Sequence, residues 1–232
     1  MKIRIFANTR KEKVKKNLPI LKKRLKGLET DVVGGVFEAA FVLGGDGFLL
    51  KVLSEIYRKK VSVYFFPLGE NTAIKGFKLT DVKKIITGEI PKTEYFPPFL
   101  MTESPAFNEI VIKTGQVART IKYEVLAADK KFVAEGDGII ISTPLGSTAY
   151  NFAAGGPAVP LEQDAVIITP LLSFTGFSRS IVVPPAQRIK IKILNRQGDV
   201  WEIHDGRQSR AAKKNTEIRT GTSLCRIIFP HK

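Results

Sequence analysis

The chain has 232 residues, enough for one large domain or two small ones with real hydrophobic cores. Hydrophobic residues make up 44% and charged residues 25%, the balance of a globular protein, and no apolar run approaches the roughly 18 residues that a bilayer-spanning helix needs. The formal net charge of +15 admits a nucleic-acid binder, a protein that attracts polyanionic small molecules, or a solvated lysine-rich surface; no RNP-like string, zinc-finger spacing or arginine-rich arm supports the first.

The opening residues, Met1 to Phe6, alternate apolar and charged side chains and are too short for the apolar core of a signal peptide, so Ile3 to Phe6 reads as a first strand. Next, Val14, Leu18, Leu21 and Leu25 recur at helical spacing with lysine and arginine on the other faces, and Pro19 is expected to kink or shorten that helix. Ala39 to Leu43 and Val61 to Phe66 read as apolar strands. Between them Phe48 to Tyr57 reads as a helix with Leu49, Val52, Leu53 and Ile56 inward. Such alternation predicts a parallel sheet with helices on both faces. The character changes at Glu89-Ile90-Pro91 and again at Pro97-Pro98.

Beyond that break the segments are short and strand-like. Arg188 to Leu194 places Ile189, Ile191 and Ile193 on one face and Lys190 and Lys192 on the other; Val200 to His204, Thr216 to Thr220 and Leu224 to Phe229 continue the pattern. Helical character returns around Ser147 to Ala154. The expected architecture is an α/β domain over residues 1–95 and a β-rich domain of layered or sandwiched sheets over 96–232, whose last strand, about 222–232, can pack back on the first domain. Cys225, the one cysteine, can form no internal disulfide and reads as an inert buried thiol, which fits a cytoplasmic protein. His204 and His231 are too isolated to make a metal site.

Three segments carry chemistry. Gly44-Gly45-Asp46-Gly47 joins a strand to a helix; its glycines let backbone N–H groups approach phosphate oxygens, and its aspartate can accept a hydroxyl proton or hold a metal. The bland alternative is a tight turn in which Asp46 caps the helix. Phe107-Asn108-Glu109 enters the strand Ile110 to Ile112; an amide beside a carboxylate can bind a ribose diol, although the same pair is commonly a solvated turn. The longest segment runs from Gly136-Asp137-Gly138 through Ser142-Thr143-Pro144-Leu145-Gly146-Ser147-Thr148-Ala149-Tyr150 to Gly155-Gly156-Pro157. Its small residues permit close backbone approach to a ligand, and Tyr150 can stack on a flat ring; read blandly, it is a loop.

In this order the three segments resemble the NAD kinase family, which has GGDG near the N-terminus, a central Asn-Glu pair and a GDG…STP.GSTAY…GGP block. GGDG also occurs in phosphofructokinases and in diacylglycerol and sphingosine kinases, so the long block is the specific part. Ser178-Arg179-Ser180-Ile181-Val182 and His204-Asp205-Gly206 look like two later family segments. The resemblance implies a Rossmann-like first domain and transfer of the γ-phosphate of ATP to the 2′-hydroxyl of the adenosine ribose of NAD. It makes Asp46 the catalytic residue, as base or positioning group for the ribose 2′-hydroxyl, with Gly44, Gly45 and Gly47 at the donor's phosphates. Asp46, Gly47, Asn71, Asn108, Glu109, Ser147, Thr148, Ala149 and Tyr150 are implied to bind NAD. Asp137 is implied to reach a nucleotide bound by a neighbouring subunit of a dimer or tetramer. Mg²⁺ would be held mainly through donor phosphates, and some members accept polyphosphate. A membrane or nucleic-acid partner is not expected.

The chain departs from the family pattern in three places. Phe48 stands where a threonine or serine usually follows GGDG. Leu68 to Phe77, with Asn71, Gly76 and Phe77, matches an Asn-x-Gly-x-Leu-Gly-Phe segment only loosely, and Ser173 to Phe177 replaces a Pro-His-Ser/Thr-Leu stretch. Phe48 motivates an alternative, a catalytically silent NAD or NADP binder; a lipid or small-molecule kinase of the GGDG group is the other.

Overall fold

The structure, a computed structural model, describes residues 1–28, 30, 35–69, 72–185 and 188–231. In chain order the elements are β1 (Ile3–Ala7), α1 (Glu12–Arg24), β2 (Ala39–Gly44), α2 (Asp46–Ile56), β3 (Ser62–Pro67), a 3-10 turn (Leu79–Asp81), α3 (Val82–Thr87), β4 (Lys92–Tyr95), β5 (Pro98–Met101), β6 (Pro105–Ala106), β7 (Glu109–Thr114), β8 (Ile121–Ala127) and β9 (Lys130–Gly136). There follow β10 (Gly138–Ser142), α4 (Tyr150–Ala153), β11 (Val166–Leu171), β12 (Thr175–Gly176), β13 (Ile181–Val183), β14 (Arg188–Arg196), β15 (Val200–His204), β16 (Gln208–Ala211), β17 (Asn215–Thr222) and β18 (Arg226–Pro230). Two compact units result, one of Met1–Pro97 with Ser223–Lys232, the other of Pro98–Thr222.

The first unit is built on a five-stranded sheet in the order β1-β2-β3-β18-β4. Strands β1, β2, β3 and β18 run parallel, and β4 closes the edge antiparallel to β18. Every residue of β2 is buried, the continuous apolar run of a strand covered on both faces. Val14 and Leu21 of α1, Leu25 at its C-terminal end, and Val82 and Ile85 of α3 share a core with Phe41, Leu43, Tyr64 and Phe66. The stripe read from the sequence is therefore the packed face. Of the kink or shortening expected at Pro19, the shortening does not occur, and helix α1 runs on to Arg24: the proline is exposed, so water can satisfy the carbonyl that loses its helical donor.

The second unit is two antiparallel sheets. One has the order β13-β11-β10-β7-β15-β16, the other β12-β9-β8-β14-β17-β5-β6. A single core takes Ile110, Ile112, Ile139, Ile141 and Ile168 from the first sheet and Tyr123, Val125, Ile189, Ile191 and Ile218 from the second. Alternation along β14 does this locally: its isoleucines are buried while Lys190 and Lys192 are exposed. Cys225 is free and buried, and burial pushes its thiol up to about 11, the state of an unreactive sulfur. Among the described residues no helix is long and apolar enough to cross a membrane.

Candidate active site

Because β1, β2 and β3 are parallel neighbours, the segments that leave them share one end of the sheet. Asn8 N donates to Leu43 O at 3.1 Å, and Leu68 N donates to Gly44 O at 2.8 Å, so the GGDG turn lies between both exits. Gly45 is the extended N-cap of α2 and Asp46 its first residue. Asp46 does not cap that helix. Its Oδ2 accepts from Ala73 N at 2.7 Å and Ile74 N at 3.4 Å, 27 and 28 residues further on. Its Oδ1 is buried without a partner. Burial holds the carboxyl above its usual range, and the two N–H bonds act in the opposite direction.

A cavity of about 780 Å³ opens beside this carboxylate, lined by Gly45, Asp46, Gly47, Leu68 and Gly69 and by Lys11, Glu12 and Lys13 at the start of α1. A side chain at Gly47 would meet nothing within 4 Å, so glycine there leaves the cavity mouth clear. Phe48 folds back on Gly44, where an added Cβ would stand 2.9 Å from its ring. Asn71, expected to contact the dinucleotide, lies outside the described residues. Among the described residues no group of three or more His, Cys, Asp or Glu side chains is placed to hold a metal ion.

In the second unit Asn108 and Glu109 lead into β7, and the solvated-turn reading fails: Glu109 is only 4% exposed. The carboxylate of Asp205 accepts from the backbone N–H groups of Phe107 at 3.1 Å, Asn108 at 2.7 Å and Glu109 at 3.3 Å, and from Arg207 Nη2 at 3.1 Å. From the other side Thr143 N donates to Asn108 O at 2.9 Å and Ser142 Oγ to the same oxygen at 3.2 Å. Gly146 passes so close that a Cβ would collide with the Asn108 carbonyl. The pair is clamped at its backbone while its side-chain ends, Asn108 Oδ1 and Glu109 Oε2, are buried and unpartnered.

Burial first, and then the Asp205 charge, raise Glu109 to about 8, so its carboxyl is protonated at neutral pH. An amide beside a neutral carboxyl offers donors and acceptors to a sugar diol without burying a net charge. The same shift sets a stability prediction. In the unfolded chain Glu109 loses its proton near pH 4.5, whereas the folded chain keeps it to about 8, so folding loses stability as pH rises through that window. Glu109→Gln, neutral throughout, should therefore gain melting temperature relative to the parent between those two pH values. A constant difference would mean that Glu109 is ionised in the fold.

The long block is packed rather than a loose loop. Ser147 is fully buried, with its hydroxyl donating to Val159 O at 3.2 Å and accepting from Val159 N at 3.0 Å. Asn151, also fully buried, donates to Ser147 O at 2.9 Å and Pro157 O at 3.1 Å and accepts from Thr169 Oγ1 at 2.7 Å. This bracket leaves Thr148 and Tyr150 exposed and Ala149 half-buried. Asp137, between β9 and β10, is half-buried; its backbone pairs with Leu171 O and Thr114 N.

Sequence reasoning missed the anchoring role of Asp205, recognised there only as an Asp-Gly turn, and the brackets made by Thr143 and Asn151. It also missed a buried polar cluster around Glu202. This carboxylate accepts from Thr102 Oγ1 at 2.7 Å and Arg210 Nη2 at 2.6 Å, and pairs with His204 Nε2 at 2.7 Å. Burial alone would raise Glu202, but these bonds outweigh it and hold the carboxyl down at about 2. The cluster ties β15 to the β5–β6 turn, just before Asp205.

Residues 107–226, just over half of the chain, match the family model described as the ATP-NAD kinase C-terminal domain. The NAD kinase of Clostridium perfringens strain 13 is 32% identical over 97% of this chain and 92% of its own length. In fold, the chain matches the crystal structure of an NAD kinase from Archaeoglobus fulgidus in complex with ATP, with a TM-score of 0.77 and 21% identity over 100% of this chain and 94% of that one. It also matches a yeast NADH kinase complexed with NADH, with a TM-score of 0.78 and 17% identity over 100% and 84% of the two chains. The resemblance read from the three motif segments is borne out, and the chain belongs to the NAD kinase family.

Proposed function

We propose that this chain transfers the γ-phosphate of ATP to the 2′-hydroxyl of the adenosine ribose of NAD, giving NADP and ADP. Membership of the family and a relative's ATP complex support the reaction class. One observation carries the catalytic assignment: the carboxylate of Asp46 is fixed through Oδ2 by two backbone N–H groups and keeps Oδ1 unpartnered beside the GGDG cavity.

The ribose O2′ attacks the γ-phosphorus in line, the bond to the β,γ-bridging oxygen breaks, and Asp46 takes the hydroxyl proton. Positioning and charge neutralisation dominate such a transfer. Gly44, Gly45 and Gly47 give the donor's phosphates close backbone approach. Asn108 and Glu109 bind the dinucleotide through their free side-chain ends, with Asn71 in the same role. Thr148, Ala149 and Tyr150 frame its base and ribose, held in place by the Ser147 bracket. Mg²⁺ would be held mainly by the donor's own phosphate oxygens, and when bound it would neutralise phosphate charge. We place the protein in the cytoplasm, where its single free thiol stays reduced.

Asp137 reaches a nucleotide bound by a second copy in a homo-oligomer, a dimer or tetramer. The apolar surface beside it supports this: Leu172 is 79% and Phe174 63% exposed, one and three residues after Leu171, whose carbonyl accepts from Asp137 N. Sedimentation should give a multimer for the parent and a monomer for Phe174→Asp. A monomeric parent removes Asp137 from this role.

The deciding experiment is a coupled assay for NADP formed from NAD, ATP and Mg²⁺, repeated with polyphosphate as donor. No product with either donor, while NAD binding persists by calorimetry, would favour the silent binder that Phe48 suggests.

A further inference from the structure

The turn between β1 and α1 is brought to GGDG by the sheet itself. Ala7 pairs with Leu43 in parallel register, Asn8 N donates to Leu43 O at 3.1 Å, and Lys11 N donates to Asn8 O at 3.0 Å. The connections leaving these two strands diverge. After β1 the chain passes through α1 to Thr30, whose parallel bridge to Ile3 lies on the side of β1 away from β2; after β2 it passes through α2 to β3 on the opposite side. Right-handed crossovers then put α1 and α2 on opposite faces, and a crevice opens between the carboxyl ends of β1 and β2. The cavity of about 780 Å³ is that crevice, with Lys11 and Lys13 on one wall and Gly45, Asp46 and Gly47 on the other.

The crevice is lined by two cations, Lys11 and Lys13, and two carboxylates, Glu12 and Asp46, and both carboxylates already have partners. The side chains of Lys11 and Lys13 are exposed and make no ion pair among the described residues. Glu12 between them is already held by Lys15 Nζ at 2.6 Å. Asp46 is engaged through Oδ2 by backbone N–H groups. At position 48, where a hydroxyl would reach a phosphate, a phenylalanine ring lies against Gly44. Two free ammonium groups beside a glycine-lined crevice fit a chain of phosphates better than a neutral ligand.

We propose that Lys11 and Lys13 anchor the phosphate tail of the triphosphate donor and supply the contact that Phe48 cannot. The assignment rests on the kinase reading above and adds two residues that set affinity for the donor and not for the dinucleotide. A charge-assisted contact to phosphate is worth about a tenfold change in affinity for each lysine. The dependence should be steep in salt, because the ammonium groups are solvent-exposed.

The test uses the full chain with Lys11→Ala, Lys13→Ala, the double alanine variant and the double arginine variant. Lys16→Ala serves as a control that removes one exposed charge from the same helix outside the cavity lining. Kinetics would be read against ATP and NAD separately, and binding of inorganic tripolyphosphate by calorimetry. The double alanine variant should raise the KM for ATP and weaken tripolyphosphate binding by about a hundredfold, and should move the KM for NAD by less than about threefold. The double arginine variant should recover most of the loss. An unchanged KM for ATP with unchanged tripolyphosphate binding, or an equal loss in Lys16→Ala, overturns the proposal. If the parent makes no NADP, the kinase reading fails on its own, and the tripolyphosphate titration still decides whether the two lysines hold phosphate.

Discussion

Replacing Asp46 with alanine should lower the rate of NADP formation by about two to four orders of magnitude while NAD still binds. The carboxylate serves two purposes that the substitution can separate. Oδ2 holds the backbone of Ala73 and Ile74, whereas Oδ1, buried and without a partner, is the oxygen to which the proposed mechanism gives the substrate's proton. Alanine removes both. Asparagine keeps a carbonyl oxygen for the two N–H groups and loses only the ability to take a proton. If Asp46 is the base, the two variants should be slow to a similar extent, and asparagine should preserve the KM values better. If Asp46 only shapes the loop, asparagine should recover most of the rate. The pH profile gives an independent reading. Burial raises the Asp46 carboxyl, so the active, ionised form is lost as pH falls, from a point above the ordinary carboxylate range. That acid limb should vanish from the residual rate of both variants. Near-normal turnover in either variant would end the role of Asp46 as base.

The parts of this molecule that were legible in its sequence are those whose determinants are local. The stripe of Val14, Leu21 and Leu25, the buried run of β2 and the alternation of β14 each encode one element and its inward face within a few residues. GGDG was legible for the same reason, because glycines and an aspartate between a strand and a helix define a short anion-friendly turn. Some local signals were passed over. Strand β8, with Ile121, Tyr123, Val125 and Ala127 buried and Lys122 exposed, alternates as clearly as β14. Strand β11 carries Pro170 and still sits fully buried between β10 and β13, where a proline argues against a strand. What could not be read is what distance in sequence conceals. Asp205 meets its three backbone donors 96 to 98 residues away, and Glu202 meets Thr102 across 100. A buried carboxylate is informative only when its donors are known, and no spacing rule supplies donors from another strand.

Asp205 is where this hidden layer can be tested most severely. Asp205→Ala should cost about 3–5 kcal/mol, because three buried or half-buried N–H groups and Arg207 lose their common acceptor. For a chain of this length that corresponds to a fall in melting temperature of roughly 10 °C. Backbone conformation adds to the loss: Asp205 has φ +49°, in the left-handed region that aspartate and asparagine tolerate better than alanine. Asp205→Asn keeps that tolerance and one carbonyl oxygen, yet it sets an NH₂ group against donors, so it should fall between the parent and alanine. The kinetic consequence should appear on one substrate only. With the Asp205 carboxylate gone, Asn108 keeps its carbonyl bonds from Ser142 and Thr143 and Glu109 its carbonyl bond from the backbone N–H of residue 205, but the three N–H groups lose their anchor and the unpartnered side-chain ends lose their fixed aim. Measured well below the lowered melting temperature, the KM for NAD should rise by about tenfold or more. The KM for ATP, whose proposed site is the glycine turn and lysines of the first unit, should move far less. Equal rises in both would mean that Asp205 supports the fold as a whole and not the aim of the Asn-Glu pair. A melting temperature within about 2 °C of the parent would mean that its four hydrogen bonds carry little of the stability assigned to them.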